Sequence, residues 1–198
     1  RSNNSGSFRN RNVLLGDIVN SNPSYVGPQD YGFDVLPEGA TIDTNGVPIY
    51  DDFVTSKASR TPVLYVGAND GMLHAINANT GAELFAYVPR GVYANLSALT
   101  DPTYVHQYYV DGSPQSVDAF IGSIPSWHTL LAGTTGAGAR EVFLLDVTTP
   151  TSETAANVLY DYDGATVGGT GDANMGYTLG QATIARLNDG NWYMIWGN

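Results

Sequence analysis

The order of strands and turns between Pro62 and Pro89 recurs further along the chain, and this recurrence restricts the fold more than any single motif does. Val63-Leu64-Tyr65-Val66 is an apolar, β-favouring run that ends at Gly67. Asn69-Asp70-Gly71 follows with residues that tolerate the backbone of a tight hairpin. Leu73 to Ala78 reads as a second strand, Asn79-Thr80-Gly81 as a turn, and Glu83 to Val88 as a third strand with Leu84, Ala86 and Val88 on one face. In the second occurrence Trp127 to Ala132 breaks at Gly133, Gly136 to Arg140 supplies the turn, and Glu141 to Val147 and Val158 to Tyr162 complete the meander. A further strand with polar alternation precedes each unit, within Leu15 to Val26 and within Tyr109 to Phe120. A third unit starts at Leu179 to Ile184 and continues through Asn188-Asp189-Gly190 to Trp192 to Trp196.

Repeated four-stranded antiparallel meanders are propeller blades. The expected fold is therefore all-β, a partial β-propeller over 1–198 with blades near 13–90 and 105–163 and an incomplete one at 177–198. Two and a half blades do not close a ring, so the complete propeller is expected to need more sequence, with any export signal lying upstream. Irregular inserts are expected at Gln29 to Phe53, Arg90 to Thr103 and Ala165 to Met175. Within the second of these, Gly91 to Leu99 suits a short helical turn with Val92, Leu96 and Leu99 facing one way.

Composition narrows the function. At 42% hydrophobic the chain has material for a core, while only 14% of its residues are charged, so Asn, Ser, Thr, Gly and Tyr must supply the polar surface. Eight Lys and Arg stand against 19 Asp and Glu, and a net charge of −11 would be repelled by a phosphate backbone; nucleic acid is not an expected partner. There are no cysteines, which removes disulfides, thiolate metal sites and thiol nucleophiles. No run approaches the roughly 20 apolar residues that cross a bilayer as a helix.

Catalytic constellations are not evident. Gly133, Gly136 and Gly138 lack the Gly-Lys-Ser/Thr ending of a phosphate loop, and no serine sits in a Gly-x-Ser-x-Gly elbow. His74 reads as a structural histidine in a strand, and His106 and His128 have no helical metal-binding partner. Asp51-Asp52 are adjacent carboxylates in a loop or strand, where neighbouring side chains diverge. For a metal, Asp161, Asp163 and Asp172 are the nearest candidates, without the Asp-x-Asp-x-Asp-Gly spacing of a calcium loop. Trp127, Trp192 and Trp196 are expected to pack between blades, whereas for Tyr104, Tyr108 and Tyr109, near an inserted segment that could cover a face, both packing and binding of a glycan or protein stay open.

Several motifs occur in an order that resembles a known family. They are Leu15-Gly16-Asp17-Ile18-Val19-Asn20-Ser21-Asn22-Pro23, Tyr65 to Ala75 with Gly67, Asn69, Asp70, Gly71 and His74, and Glu83 to Pro89. Tyr104-Val105-His106, Val110-Asp111-Gly112, Leu145-Asp146-Val147-Thr148 and Trp192 with Gly197-Asn198 follow. Together they resemble the C-terminal propeller of the PilY/PilC family of type IV pilus proteins, over about Asn12 to Asn198. The resemblance implies a quinoprotein-like propeller, export to the cell surface or pilus tip, and roles in pilus assembly, retraction control and adhesion. The partners it implies are minor pilins of the tip complex and a host or abiotic surface. No cofactor is expected in this stretch; calcium is expected, if anywhere, in a family loop beyond Asn198. The rival expectation is a quinone-dependent dehydrogenase on the same architecture, which rests on analogy of fold alone.

Overall fold

The computed structural model describes residues 7–11, 13–164 and 172–197. Its strands form two four-stranded antiparallel sheets and one two-stranded sheet, each a meander in chain order. The first blade consists of β1 (Ser24–Val26), β2 (Val63–Ala68), β3 (Met72–Asn77) and β4 (Glu83–Tyr87). The second is β5 (Gln115–Ile121), β6 (Ser126–Thr134), β7 (Glu141–Asp146) and β8 (Val158–Asp163). β9 (Thr183–Arg186) and β10 (Trp192–Ile195) pair as the start of a third. This is the expected all-β propeller architecture.

The turns follow from their residues. Gly71 adopts a φ of 93° at the end of the β2–β3 hairpin, and Gly81 a φ of 74° between β3 and β4. Both values lie where a side chain would strain the backbone.

The core lies between blades, because each sheet buries apolar side chains on both faces. Val63, Tyr65, Leu73 and Ala75 of the first blade meet Leu131, Phe143 and Leu145 of the second. On the other face of the second blade, Ala119, Leu130 and Ala132 pack against Ala182 and Ile184, with Trp192, Met194 and Trp196 alongside. Trp127 is buried beside Trp192, 6.1 Å between ring centroids. All three tryptophans therefore pack between elements, as their bulk suggested.

Local expectations needed three corrections. The innermost strands are shorter than their polar alternation suggested, since Gly16 to Asn22 and Tyr109 to Ser113 form connections that bond to side chains of other segments instead of a sheet ladder. On β4 Leu84 packs on the core as expected, but Phe85 and Tyr87 join it there, while Ala86 is exposed and Val88 packs with the 3₁₀ segment that follows. Phe85 lies opposite Ala75 and Tyr87 opposite Leu73, and a bulge at Ala75/Ile76 shifts the register before Glu83. Asp51 and Asp52 sit in neither a loop nor a strand but in the first turn of α1 (Ile49–Lys57), after Pro48. Carboxylates there complement the positive end of the helix dipole. The helical segment after Pro89 is present as a 3₁₀ stretch, Arg90–Thr100, with Val92 and Leu99 buried and Leu96 packed beside them. Of the Ala165 to Met175 insert, residues 165–171 lie outside the described residues.

The insert between β1 and β2 leaves its own blade and braces the other two. Phe33 stacks on Trp127 at 5.8 Å and meets the edge of Trp192 at 5.2 Å, while Tyr50 lies 4.5 Å from Trp127. Glu38 pairs with Arg186 of β9 at 2.5 Å. Beneath the rings, Lys57 and Asp118 form an ion pair in which both side chains are inaccessible, 1% and 0% exposed. Asp118 also accepts the hydroxyls of Tyr50 and Thr129, each at 2.9 Å, and Lys57 donates to the Gln29 carbonyl. Burial, helped by Asp118, pushes the Tyr50 phenol well above its ordinary pKa, so it stays a donor.

Candidate functional site

Most of the motif residues singled out in the sequence converge on one end of the first blade. The segment from Gly16 to Asn22 crosses the β2–β3 hairpin, and the segment from His106 to Ser113 crosses beside it. The hairpin supplies the fixed points. Asp70 accepts the Gly16 N–H at 2.7 Å, and the Asn69 N–H reaches the Asp17 carbonyl at 3.0 Å. The Asn69 side chain donates to the Asp17 carboxylate at 3.3 Å and accepts the Tyr109 N–H at 2.9 Å. His106 closes the outer side with Nε2 2.7 Å from the same Asp17 oxygen.

A second set of bonds ties the two crossing segments together. The Asn20 backbone N–H and side-chain amide both donate to Asp111, at 3.1 and 2.6 Å. Ser113 accepts from the Asn22 N–H and donates to the Asn20 carbonyl, at 2.9 and 3.3 Å. Ser21 Oγ accepts the Gly67 N–H at 2.9 Å. Asp111 is buried, so its two bonds from Asn20 satisfy a charge that water does not reach.

The glycines in these motifs are sites of close approach. A β-carbon on Gly67 would lie 2.3 Å from the Val110 carbonyl oxygen, and one on Gly112 would lie 2.1 Å from Thr134 Oγ1. Gly67→Ala is therefore expected to push the Val110 strap off the sheet and cost about 1–3 kcal/mol. Urea unfolding of the variant measures this; a loss within error of zero would show that the strap tolerates displacement.

Electrostatics favours the closed arrangement. Burial works against a charge on His74, yet Nε2 lies 3.1 Å from Asp70 and Nδ1 3.3 Å from Glu83, and these carboxylates raise its pKa above the ordinary imidazole value. Burial likewise opposes the Asp70 charge, but hydrogen bonds from His74 and the Gly16 N–H hold its pKa below the usual carboxylate range. Asp17 is similar: burial pushes its pKa up, and bonds from His106 and Asn69 bring it down. Beside this latch lies a recess of about 370 Å³ lined by Arg9, Asp17, Asn69, Tyr104 and His106, with the Arg9 guanidinium 4.1 Å above the Tyr104 ring. Tyr109 is buried, whereas Tyr108 remains exposed.

Asp146 is the motif residue that stands apart. It closes the far end of β7, where it meets His128 Nδ1 at 2.7 Å and accepts the Thr148 N–H at 3.0 Å.

The metal candidates do not share one site. Asp161, on β8, accepts the Tyr87 hydroxyl at 2.8 Å, and Asp163 lies opposite Glu141 in the sheet register. Asp172 sits in a surface turn where it accepts the Asn174 N–H at 2.8 Å. Among the described residues, no three His, Asp or Glu side chains converge so as to hold a metal ion, and no helix is long and apolar enough to cross a membrane.

Sequence reasoning missed two features. One is the Lys57–Asp118 clamp, for which the sequence held a signal: Lys57 is the only lysine of the chain and falls in an aromatic-rich insert. The other is Glu141, fully buried on β7, which reads as an ordinary strand-end charge. Burial first, and then a hydrogen bond to Asp161, push its pKa up to about 9, against the pull of the Gly91 N–H at 2.9 Å.

Known proteins share this sequence and architecture. The pattern that defines the PilY1 β-propeller domain matches residues 15–198. The type IV pilus biogenesis factor PilY1 of Pseudomonas aeruginosa strain UCBPP-PA14 is 43% identical over 194 residues, covering 96% of this chain and 16% of that protein. A PilY1 homolog of Xylella fastidiosa is 42% identical over 196 residues, with 98% of this chain and 15% of the relative covered. The chain thus spans only a small part of the relatives it matches. The crystal structure of the Pseudomonas aeruginosa PilY1 C-terminal domain superposes with a TM-score of 0.62 at 33% identity, covering 87% of this chain and 31% of that one. Because the matched stretch carries both the latch and the repeated blades, the chain belongs to the PilY1 β-propeller domain family.

Proposed function

We propose that this chain is a structural and interaction module of a type IV pilus biogenesis factor, part of a propeller wall that supports pilus assembly at the cell envelope. The observation that carries this reading is the fate of the motif residues. Gly16, Asp17, Asn20, Asn69, Asp70, His106 and Asp111 are spent on holding two straps across a blade end, through bonds that bury or pair their polar atoms. Such an arrangement makes a rigid surface out of polar, low-charge sequence. Retraction control, adhesion and placement at the pilus tip are the finer parts of the same proposal, with minor pilins and an external surface as partners.

Deletion of residues 15–198 from the full-length protein, in a bacterium that makes pili with it, tests the reading. Surface pili, counted by electron microscopy and by immunoblot of sheared pilin, are expected to fall to the level of a strain lacking the whole gene. The same deletion in a strain unable to retract its pili separates the two roles: recovered pili assign the module to opposing retraction, and continued absence assigns it to assembly. Unchanged piliation in both strains would refute the proposal.

A further inference from the structure

Between the outer strands of the first two blades runs a groove of about 430 Å³, within the size range of ligand sites. Its walls are apolar and aromatic, formed by Phe85, Val88, Tyr93, Leu145 and Val158. One carboxylate, Glu153, stands in this lining, and among the described residues no Lys, Arg or His lines the groove with it. Glu153 Oε1 is buried with no donor, and burial, followed by the field of Asp146, raises the Glu153 pKa to about 7. Close enough for Glu153 to act on its own titration lies the Tyr65 hydroxyl, on a side chain that is 0% exposed, and it too has no hydrogen-bond partner. Tyr65 packs on the groove wall, with its ring 6.2 Å from Phe85.

We propose that this groove binds a primary ammonium group carried on an apolar stem, and that its occupant is a lysine side chain of a partner polypeptide. The walls accept the methylene stem, the two rings of Tyr87 and Tyr93 favour a cation, and Glu153 provides the counter-charge. A calcium or magnesium ion is not matched, because it needs six or more oxygen ligands and the walls are hydrocarbon. A guanidinium fits less well, since its fork calls for two acceptors side by side, whereas of the two Glu153 oxygens only Oε1 is both buried and without a donor among the described residues. The ammonium comes from outside residues 1–198, whose one lysine is buried against Asp118. A net charge of −11 draws such a partner in.

Nuclear magnetic resonance with Nα-acetyl-lysine methylamide as the probe, and the norleucine counterpart as control, tests this. At about pH 8 the lysine compound is expected to shift the amide signals of Phe85 to Val88 and Ala155 to Val158, while the norleucine compound does not. Binding should weaken about tenfold or more on acidification to about pH 5, where Glu153 is neutral, and by a similar factor in Glu153→Gln. The acid titration of the unaltered protein stands whether or not the variant folds. Equal response to norleucine, undiminished binding at low pH, or no shift at the groove would each overturn the proposal.

Discussion

Lys57→Ala is expected to lower stability by about 3–5 kcal/mol. The cost does not come from losing an attraction alone. Asp118 would be left in a site with no access to water, keeping the Tyr50 and Thr129 hydroxyls but losing its cation. Removal of the ammonium also takes a positive charge from beside the Phe53 and Tyr31 rings, at 5.3 and 5.4 Å. Since α1 carries Tyr50 into the Trp127 cluster, the brace across the blades should loosen with the pair. Urea unfolding followed by tryptophan fluorescence reads both effects. The double variant K57M/D118N, which removes both charges and keeps an acceptor oxygen for one hydroxyl while turning an NH2 donor toward the other, should recover much of the loss. A single variant losing less than about 1 kcal/mol would show that water reaches Asp118.

Glu141→Gln is expected to act in the opposite direction and only above acid pH. In the folded protein burial and the neighbouring Asp161 keep the proton on the Glu141 carboxyl to about pH 9, whereas in the unfolded chain it ionises near its ordinary value of 4.5. Between those values the native state holds a proton that the unfolded state does not, so stability falls as pH rises. The contribution is complete below 4.5 and gone above about 9. At the steepest, each pH unit costs roughly tenfold in the folding equilibrium, and by pH 7 the deficit is on the order of 3 kcal/mol. An amide in place of the carboxyl donates to Asp161 at every pH and still accepts the Gly91 N–H. Chemical denaturation at about pH 5 and about pH 8 should show the parent losing stability between the two and the variant losing much less. Parallel pH profiles for the two proteins would place the proton elsewhere.

These two groups mark where sequence reasoning stopped. The Pro62 to Pro89 meander was legible because its signals are local: a period of two along each strand, with Gly71 and Gly81 at turns that demand positive φ. Its recurrence at Trp127 to Tyr162 made the propeller legible as well. The boundaries of the inner strands were not, since Gly16 to Asn22 has strand-like residues whose partners are side chains about 50 and 90 positions away. On β4 the alternation did not show that a bulge lets Leu84 pack on the core alongside Phe85 and Tyr87.

The motifs Gly16-Asp17, Asn69-Asp70-Gly71, His106 and Asp111-Gly112 show a related division. Their order along the chain identified the family before any fold was described. That they form one latch became visible only in the folded chain, because each bond joins segments that are distant in sequence. By itself, then, the sequence determined the blades, their turns and the family, all of which depend on neighbours a few residues apart. Tertiary structure alone decided that Lys57 meets Asp118, that Glu141 is buried beside Asp161 with its pKa raised, and that among the described residues Glu153 Oε1 has no donor. Charge and hydrogen bonding depend on what long-range folding brings within a few ångströms and on how much water it leaves there, and no local pattern encodes either.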